Sequence, residues 1–364
     1  MNPPLPAATE IALFLAGYID RAEACRRLGL DAEELRALLD EHGLSAAAML
    51  PVGIDDTLEV LHRDLGQNPF DRPLFDDVVG EQRASRSARQ RLRFSLPADA
   101  ILKTQPDMPA EVPAGLIFHV GRCGSNLLCN LLALVPGVVI LREPELINAL
   151  CLARGVEKDT ERRVRLEELT VKLLRGLAHG VRQDERGQPR RCVVKFSSWN
   201  ALFAEDLLPR LPPIPLVVVV RAPCETVASY LQEPPYWYRE RRGQPDPAEA
   251  ARYFAGNWSA ITDHALRLPP DRTLIVGYRE LAADAHDVLE RVRRLFGLGP
   301  APVDASAIRA VVQTYAKSAG PEPFDAHGRH RRQALHPDLQ DLVSTITARS
   351  WSALLARTSG TPVP

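Results

Sequence analysis

The sequence predicts an α/β protein, a central parallel sheet flanked by helices, with a small helical module at its N-terminus. Two observations lead there. Short unbroken apolar or β-branched runs at 116–120, 138–141, 192–196, 216–220 and 273–276 are each followed by a helix-length segment, as in a parallel sheet buried on both faces. Residues 8–66, by contrast, carry helical patterns with no strand pattern among them. With 364 residues, 45% hydrophobic and 25% charged, the chain is long enough for one large domain with an appendage.

The expected boundary follows from composition. A polar stretch at 81–93 and a Pro-punctuated one at 106–113 separate a helical module, residues 1–110, from an α/β domain with a C-terminal helical and loop segment, residues 111–364. Within the module, helical patterns run over 9–18 and 21–28. A third helix opens at Asp31, whose side chain can cap the backbone N–H groups of Glu33 and Glu34. Residues 21–43 have the spacing of a helix-turn-helix. Charge argues against DNA, because residues 9–47 hold eight acidic residues against four Arg, and DNA affinity comes from phosphate neutralisation.

A net charge of −1 provides no global field for nucleic acid or anionic membrane, so any anion site must be a local concentration of Arg, Lys and backbone N–H groups. The six cysteines show neither CxxC pairs nor His partners at metal-ligand spacing, so reduced thiols and no metal are expected. No apolar run approaches a bilayer span, and no leader pattern opens the chain; a cytoplasmic location is expected. Only five of the 45 basic residues are Lys, which singles out Lys195 inside an apolar strand.

The first strand runs into His119-Val120-Gly121-Arg122-Cys123-Gly124-Ser125-Asn126-Leu127-Leu128 and then an amphipathic helix. A strand, a Gly-containing turn and a helix N-terminus place several unpaired N–H groups in one concavity, favourable for an anion. The GxxxxGK[ST] spacing of nucleotide hydrolases is absent. After the 216–220 strand comes Arg221-Ala222-Pro223, with Ser229 two turns along the next helix. An Arg at a strand's C-terminal end lies where open α/β sheets bind ligands, and with a nearby hydroxyl it suits a second phosphate.

Together these segments resemble the sulfotransferases that use 3′-phosphoadenosine-5′-phosphosulfate (PAPS). The resemblance rests on Arg122-Cys123-Gly124-Ser125-Asn126, on Arg221-Ala222-Pro223 with Ser229 eight residues after the Arg, and on Val276-Gly277-Tyr278-Arg279-Glu280-Leu281, similar to the family's Tyr-Glu-x-Leu segment. It covers roughly residues 115–300 and implies the P-loop-like sulfotransferase fold. PAPS is the implied co-substrate, bound by Arg122, Cys123, Gly124, Ser125, Asn126, Leu127, Arg221, Ser229 and Tyr278. The chain departs from the family at Asn126 (usually Thr), Leu127 (often Trp) and Ala222 (usually Asp). The loop that completes the family's 3′-phosphate site has no clean counterpart; Lys317 and Arg329-His330-Arg331-Arg332 are candidates, beside a solvated charged surface.

The resemblance also guides the search for a base. Many cytosolic members carry a His two residues after a strand-end Lys, but here Lys195-Phe196-Ser197 offers a Ser. Members resembling this chain, the bacterial and tyrosylprotein branches, place a Glu 21 residues after the loop Arg, which lands on Glu143 in Leu141-Arg142-Glu143-Pro144-Glu145. Glu143 is the expected general base, with Glu145 as the alternative or as a carboxylate serving its own helix. Lys195 needs an anion in its buried setting, either a structural partner or, as the family suggests, the transferring sulfuryl group. An aromatic and basic insertion at 233–243 is an acceptor wall or a packing loop.

The implied reaction places sulfate on a hydroxyl or amine of a small molecule, glycan or peptide. Two other functions compete with it. A P-loop kinase-like phosphotransferase would require ATP and Mg²⁺; a non-catalytic nucleotide-sensing regulator would bind nucleotide without turnover.

Overall fold

The computed structural model describes residues 8–44, 49–65, 70, 72, 74–84, 93–104, 112–183, 187–242, 246–299, 302–314 and 335–359. Its strands are β1 (Met49–Ile54), β2 (Glu59–Asp64), β3 (Arg93–Pro97), β4 (Gly115–His119), β5 (Val138–Arg142), β6 (Arg191–Lys195), β7 (Leu216–Val220) and β8 (Thr273–Gly277). The last five form the expected parallel sheet, in the order β5-β6-β4-β7-β8, and each begins and ends within one residue of its apolar run. Parallel pairing sets Leu116 beside Leu216 and Leu216 beside Thr273. All five residues of β4 and of β7 are buried, which is why these strands read as unbroken apolar runs rather than alternating ones.

The chain divides into two units. One comprises residues 1–114, 137–194 and 206–214; the other comprises 115–136, 195–205 and 215–364.

In the first unit, the helices Arg21–Leu28 and Ala32–Glu41 start at Asp20 and Asp31, whose side chains accept backbone N–H bonds from Glu23 and from Glu33 and Glu34. Asp31 and Glu34 complete a capping box. The expectation that no strand interrupts residues 8–66 is corrected by the antiparallel sheet β1-β2-β3. Its turn is set by Asp55, whose carboxylate accepts from the Thr57 and Glu59 amides and from the Thr57 hydroxyl. Burial alternates along β2 with period two, hidden in the sequence because His62 and Asp64 lie on the buried face and Leu61 on the outer one.

The long helix Thr160–Gly180 packs against this sheet, and a Cβ at Gly180 would come within 2.5 Å of Leu50. His62 ties the unit together: its Nε2 meets the Tyr18 hydroxyl at 2.9 Å, its Nδ1 meets the Val60 carbonyl at 3.0 Å, and its ring stacks on Phe94. Buried Glu167 joins Arg154 and Arg210.

In the second unit, β4 is followed by the helix Ser125–Leu132, β7 by Pro223–Gln232, and β8 by Tyr278–Ala283 and Ala285–Leu295. The helix Pro247–Arg267 packs along Pro337–Ser359, where the Arg357 guanidinium donates to the carbonyls of Leu266 and Leu268 at the end of the first helix. Within that core lie Tyr238, Phe254 and Val227.

No disulfide joins the six cysteines, and Cys123, Cys129, Cys151 and Cys192 are buried. Among the described residues no helix is long and apolar enough to cross a membrane.

Candidate active site

The turn after β4 has an unusual backbone. Gly121, Arg122 and Gly124 take φ values of 75°, 47° and 84°, all in the left-handed region, before the chain enters the helix at Ser125. Left-handed residues in a tight turn point successive amides toward one concavity. For Gly the conformation costs little, but for Arg122 it is strained, and such strain collects at functional sites. The Gly121 amide is already taken, donating to His119 Nδ1 at 3.0 Å. Both glycines also sit too close to neighbours for a side chain: a Cβ at Gly121 would lie 2.0 Å from the Tyr230 hydroxyl, and one at Gly124 would lie 2.6 Å from the Tyr278 ring.

Three of the residues expected from sequence meet at this turn. Arg221, at the end of β7 and 8% exposed, donates from Nη1 to the Arg122 carbonyl at 3.2 Å. Its guanidinium lies 4.4 Å from the centre of the Tyr278 ring, within cation–π range. The Tyr278 ring itself packs on Gly124. The backbone of Arg221 is pinned by Trp258, whose indole N–H donates to the Arg221 carbonyl at 3.0 Å. Gly124, Arg221 and Tyr278 therefore form one assembly with the Arg122 backbone.

A second pair stands one step further along. Lys195, 1% exposed at the end of β6, donates to the Asn126 side-chain oxygen at 2.7 Å. The position where the resembling family usually has Thr thus holds an acceptor that keeps a buried ammonium satisfied. Ser125 and Leu127 are also buried on that helix, and Ser229 is half-buried on the helix Pro223–Gln232. Beside Lys195, Ser197 caps the short 3₁₀ turn Ser198–Phe203.

Sequence reasoning missed the acidic partners. Arg122 donates to the Glu233 carbonyl at 2.6 Å and to its carboxylate at 2.7 Å, and faces the Tyr230 ring. Glu225 accepts from Arg221 at 3.0 Å and from Arg279 at 2.6 Å. Burial pushes the Glu225 carboxyl up, but hydrogen bonds from Arg279 and Arg221 outweigh it and hold the group below the usual carboxylate range. The i,i+4 spacing of Arg221 and Glu225 was a usable signal; Arg279 and Glu233 had none. Burial likewise raises the Cys123 thiol, but the His119 hydrogen bond and nearby charges bring it below its ordinary value.

Glu143 belongs to the first unit. It follows β5 directly, is half-buried, and has a left-handed φ of 53°. Glu145 opens the helix Glu145–Val156 with an exposed side chain, and its amide donates to Asp76 at 3.0 Å. Asp76 thus supplies the cap that Pro144 lacks. In the insertion, Tyr238 is buried, while Tyr236 and Trp237 are exposed on the helix Tyr236–Arg242. Lys317 and residues 329–332 lie outside the described residues.

Residues 116–301 match the Sulfotransferase family. Among solved structures, a sulfotransferase from Mycobacterium avium is similar over 72% of this chain and 81% of its own, at 15% identity and a TM-score of 0.44. A sulfotransferase from Alicyclobacillus acidocaldarius is similar over 67% and 94%, at 14% identity and a TM-score of 0.39. A mouse sulfotransferase solved in complex with PAP is similar over 69% and 90%, at 14% identity and a TM-score of 0.38. No curated protein sequence matches the chain. The family match spans more than half of the sequence and contains the left-handed turn, Lys195, Arg221 and Tyr278, and the chain belongs to the sulfotransferase family.

Proposed function

We propose that this sulfotransferase takes its sulfuryl group from PAPS and transfers it to a hydroxyl or amine of a small molecule, glycan or peptide. The observation that carries the reading is the assembly of the Gly121–Gly124 turn with Arg221 and Tyr278, a left-handed turn at a helix N-terminus joined to a guanidinium and an aromatic ring. Those features fit the donor's parts: the turn and the N-terminus of the helix Ser125–Leu132 suit the 5′-phosphosulfate, Arg221 with Ser229 suits the 3′-phosphate, and Tyr278 suits the adenine side. When bound, PAPS supplies a phosphosulfate anhydride whose cleavage releases 3′,5′-ADP.

The residues then have separate tasks. Arg122 and Lys195 neutralise the oxygens of the transferring group, Lys195 by exchanging or sharing its Asn126 contact and Arg122 by releasing Glu233. Glu143 accepts the acceptor's proton as the new bond from acceptor to sulfur forms and the bond from sulfur to the phosphate oxygen breaks. Its support is its offset from Arg122, its place just beyond a strand, and its strained backbone. Cys123 and Gly124 contribute backbone, Ser125 and Asn126 contribute polar side chains, and Leu127 an apolar contact. The basic residue Lys317 is a candidate further phosphate ligand. The protein acts in the cytoplasm, without a metal.

Intact-mass analysis of an acceptor panel incubated with PAPS tests the function, with gain of one SO₃ on an acceptor and one 3′,5′-ADP released per transfer as the expected result. Turnover that requires ATP and Mg²⁺ instead would overturn it, as would saturable nucleotide binding with no transfer to any acceptor class.

A further inference from the structure

Glu225 is placed between two guanidiniums. Its Oε2 accepts from Arg221 Nε at 3.0 Å, and its Oε1 accepts from Arg279 Nη2 at 2.6 Å and Nε at 3.2 Å. The Glu225 side chain is 15% exposed and that of Arg279 is 79% exposed. One carboxylate serving two Arg side chains leaves a net positive charge in a small volume. An exposed ion pair gains little from ordering a long side chain. Here the ordering places a second guanidinium beside the one already assigned to phosphate.

Chain connectivity also brings the two residues to one place. Arg221 lies over the ring of Tyr278, and Arg279 is the next residue, in the first turn of the helix Tyr278–Ala283. Arg279 spends Nε and Nη2 on Glu225, so its Nη1 stays available to solvent. Two planar forks held by one carboxylate suit a phosphate dianion, which accepts several N–H bonds and cancels the residual charge.

Resting on the nucleotide reading above, we propose that Arg279 is a binding residue for the 3′-phosphate of the nucleotide, held beside Arg221 by Glu225. Glu225 is a positioning residue in this arrangement. The arrangement supplies a second cation for the 3′-phosphate from within the described residues, in the segment that follows β8.

Calorimetry with 3′,5′-ADP and 5′-AMP on the full chain tests the proposal, comparing the parent with Arg279→Gln, Arg279→Lys and Arg221→Ala. The exposed position of Arg279 leaves folding intact in its variants. Arg279→Gln should weaken 3′,5′-ADP binding about tenfold or more. It should leave 5′-AMP within about twofold, and Arg279→Lys should recover part of the loss because the charge remains. Unchanged binding of both nucleotides by Arg279→Gln, with Arg221→Ala still selectively impaired, would overturn the role of Arg279 and leave the nucleotide reading standing. Equal losses for both nucleotides would also overturn it, making Arg279 a support for Tyr278. A parent protein that binds 3′,5′-ADP and 5′-AMP equally would overturn the nucleotide reading and this inference with it.

Discussion

Replacing Gly124 by Ala separates two costs that the turn combines. The residue has φ of 84°, and its new Cβ would stand 2.6 Å from Tyr278 Cδ2. Left-handed backbone costs an L-residue roughly 1–2 kcal/mol, and Ala recovers about 0.4–1 kcal/mol by restricting the unfolded chain. A comfortable carbon–carbon contact is about 3.5–4.0 Å, so the Tyr278 ring must retreat by about 1 Å, away from its place under Arg221.

Gly29→Ala is the control, because Gly29 has φ of 68° but nothing within 4 Å of the new Cβ. It should lose about 1 kcal/mol or less and bind 3′,5′-ADP like the parent. Gly124→Ala should lose about 2–3 kcal/mol, adding weakened ring contacts to the backbone term. Its affinity for 3′,5′-ADP should fall about tenfold or more, since the same shift disturbs the turn, the ring and Arg221. Chemical unfolding and calorimetry on the three proteins read both quantities. If Gly124→Ala bound 3′,5′-ADP as the parent does while showing its stability loss, the turn and Tyr278 would not form the nucleotide site.

Further predictions concern the proton, the buried ammonium and acid stability. Glu143→Gln should keep 3′,5′-ADP affinity while turnover falls about 10²- to 10⁴-fold, with Glu145→Gln within about tenfold of the parent; near-normal Glu143→Gln beside an inactive Glu145→Gln would move the base to Glu145. Lys195→Met leaves Asn126 Oδ1 without its ammonium, at a cost of about 1–3 kcal/mol, and should depress turnover at saturating PAPS more than it weakens 3′,5′-ADP binding. Full activity of that variant in a single-turnover assay would remove Lys195 from the chemistry. Desolvation pulls His62 down to about 4, despite the Val60 carbonyl contact. Its folded-state value lies below the unfolded one near 6.5, so its stabilisation is present above pH 6.5 and is lost as pH falls toward 4, on the order of 3 kcal/mol. His62→Gln should flatten the decline between pH 6.5 and 4 in urea unfolding, leaving the part due to His179, which burial and then Arg182 lower to about 3; an unchanged slope would contradict the assignment.

The legible parts of the fold share a physical cause. β4 and β7 are buried on both faces, so every position must be apolar and the pattern stands out without knowledge of any partner. The cap at Asp31 is equally local, since its carboxylate serves amides within three residues. β1 and β2 escaped notice because β1 contains Pro51 and Gly53 beside a register shift, and β2 buries the polar His62 and Asp64 while Leu61 takes an outer position, all over only six residues. For β2, a charged residue on an outer face looks the same as one on a helix.

In the candidate site, Arg122, Gly124, Arg221 and Tyr278 were visible in three ordered segments that follow strands, and Lys195 in a fourth, because a parallel sheet delivers its loops to one edge. What local pattern left undecided was pairing. Glu233 reaches Arg122 across 111 positions, Arg279 reaches Glu225 across 54, and Asn126 reaches Lys195 across 69, and no periodicity encodes such distances. Nor does side-chain chemistry announce that Arg122 and Glu143 take left-handed backbone, which L-residues adopt only when surrounding contacts impose it. Burial periodicity and short-range capping act along the chain and are therefore written in it residue by residue. The charges that meet, and the strain that is tolerated, depend on which distant segments packing brings within 3 Å, and only the folded chain decides that.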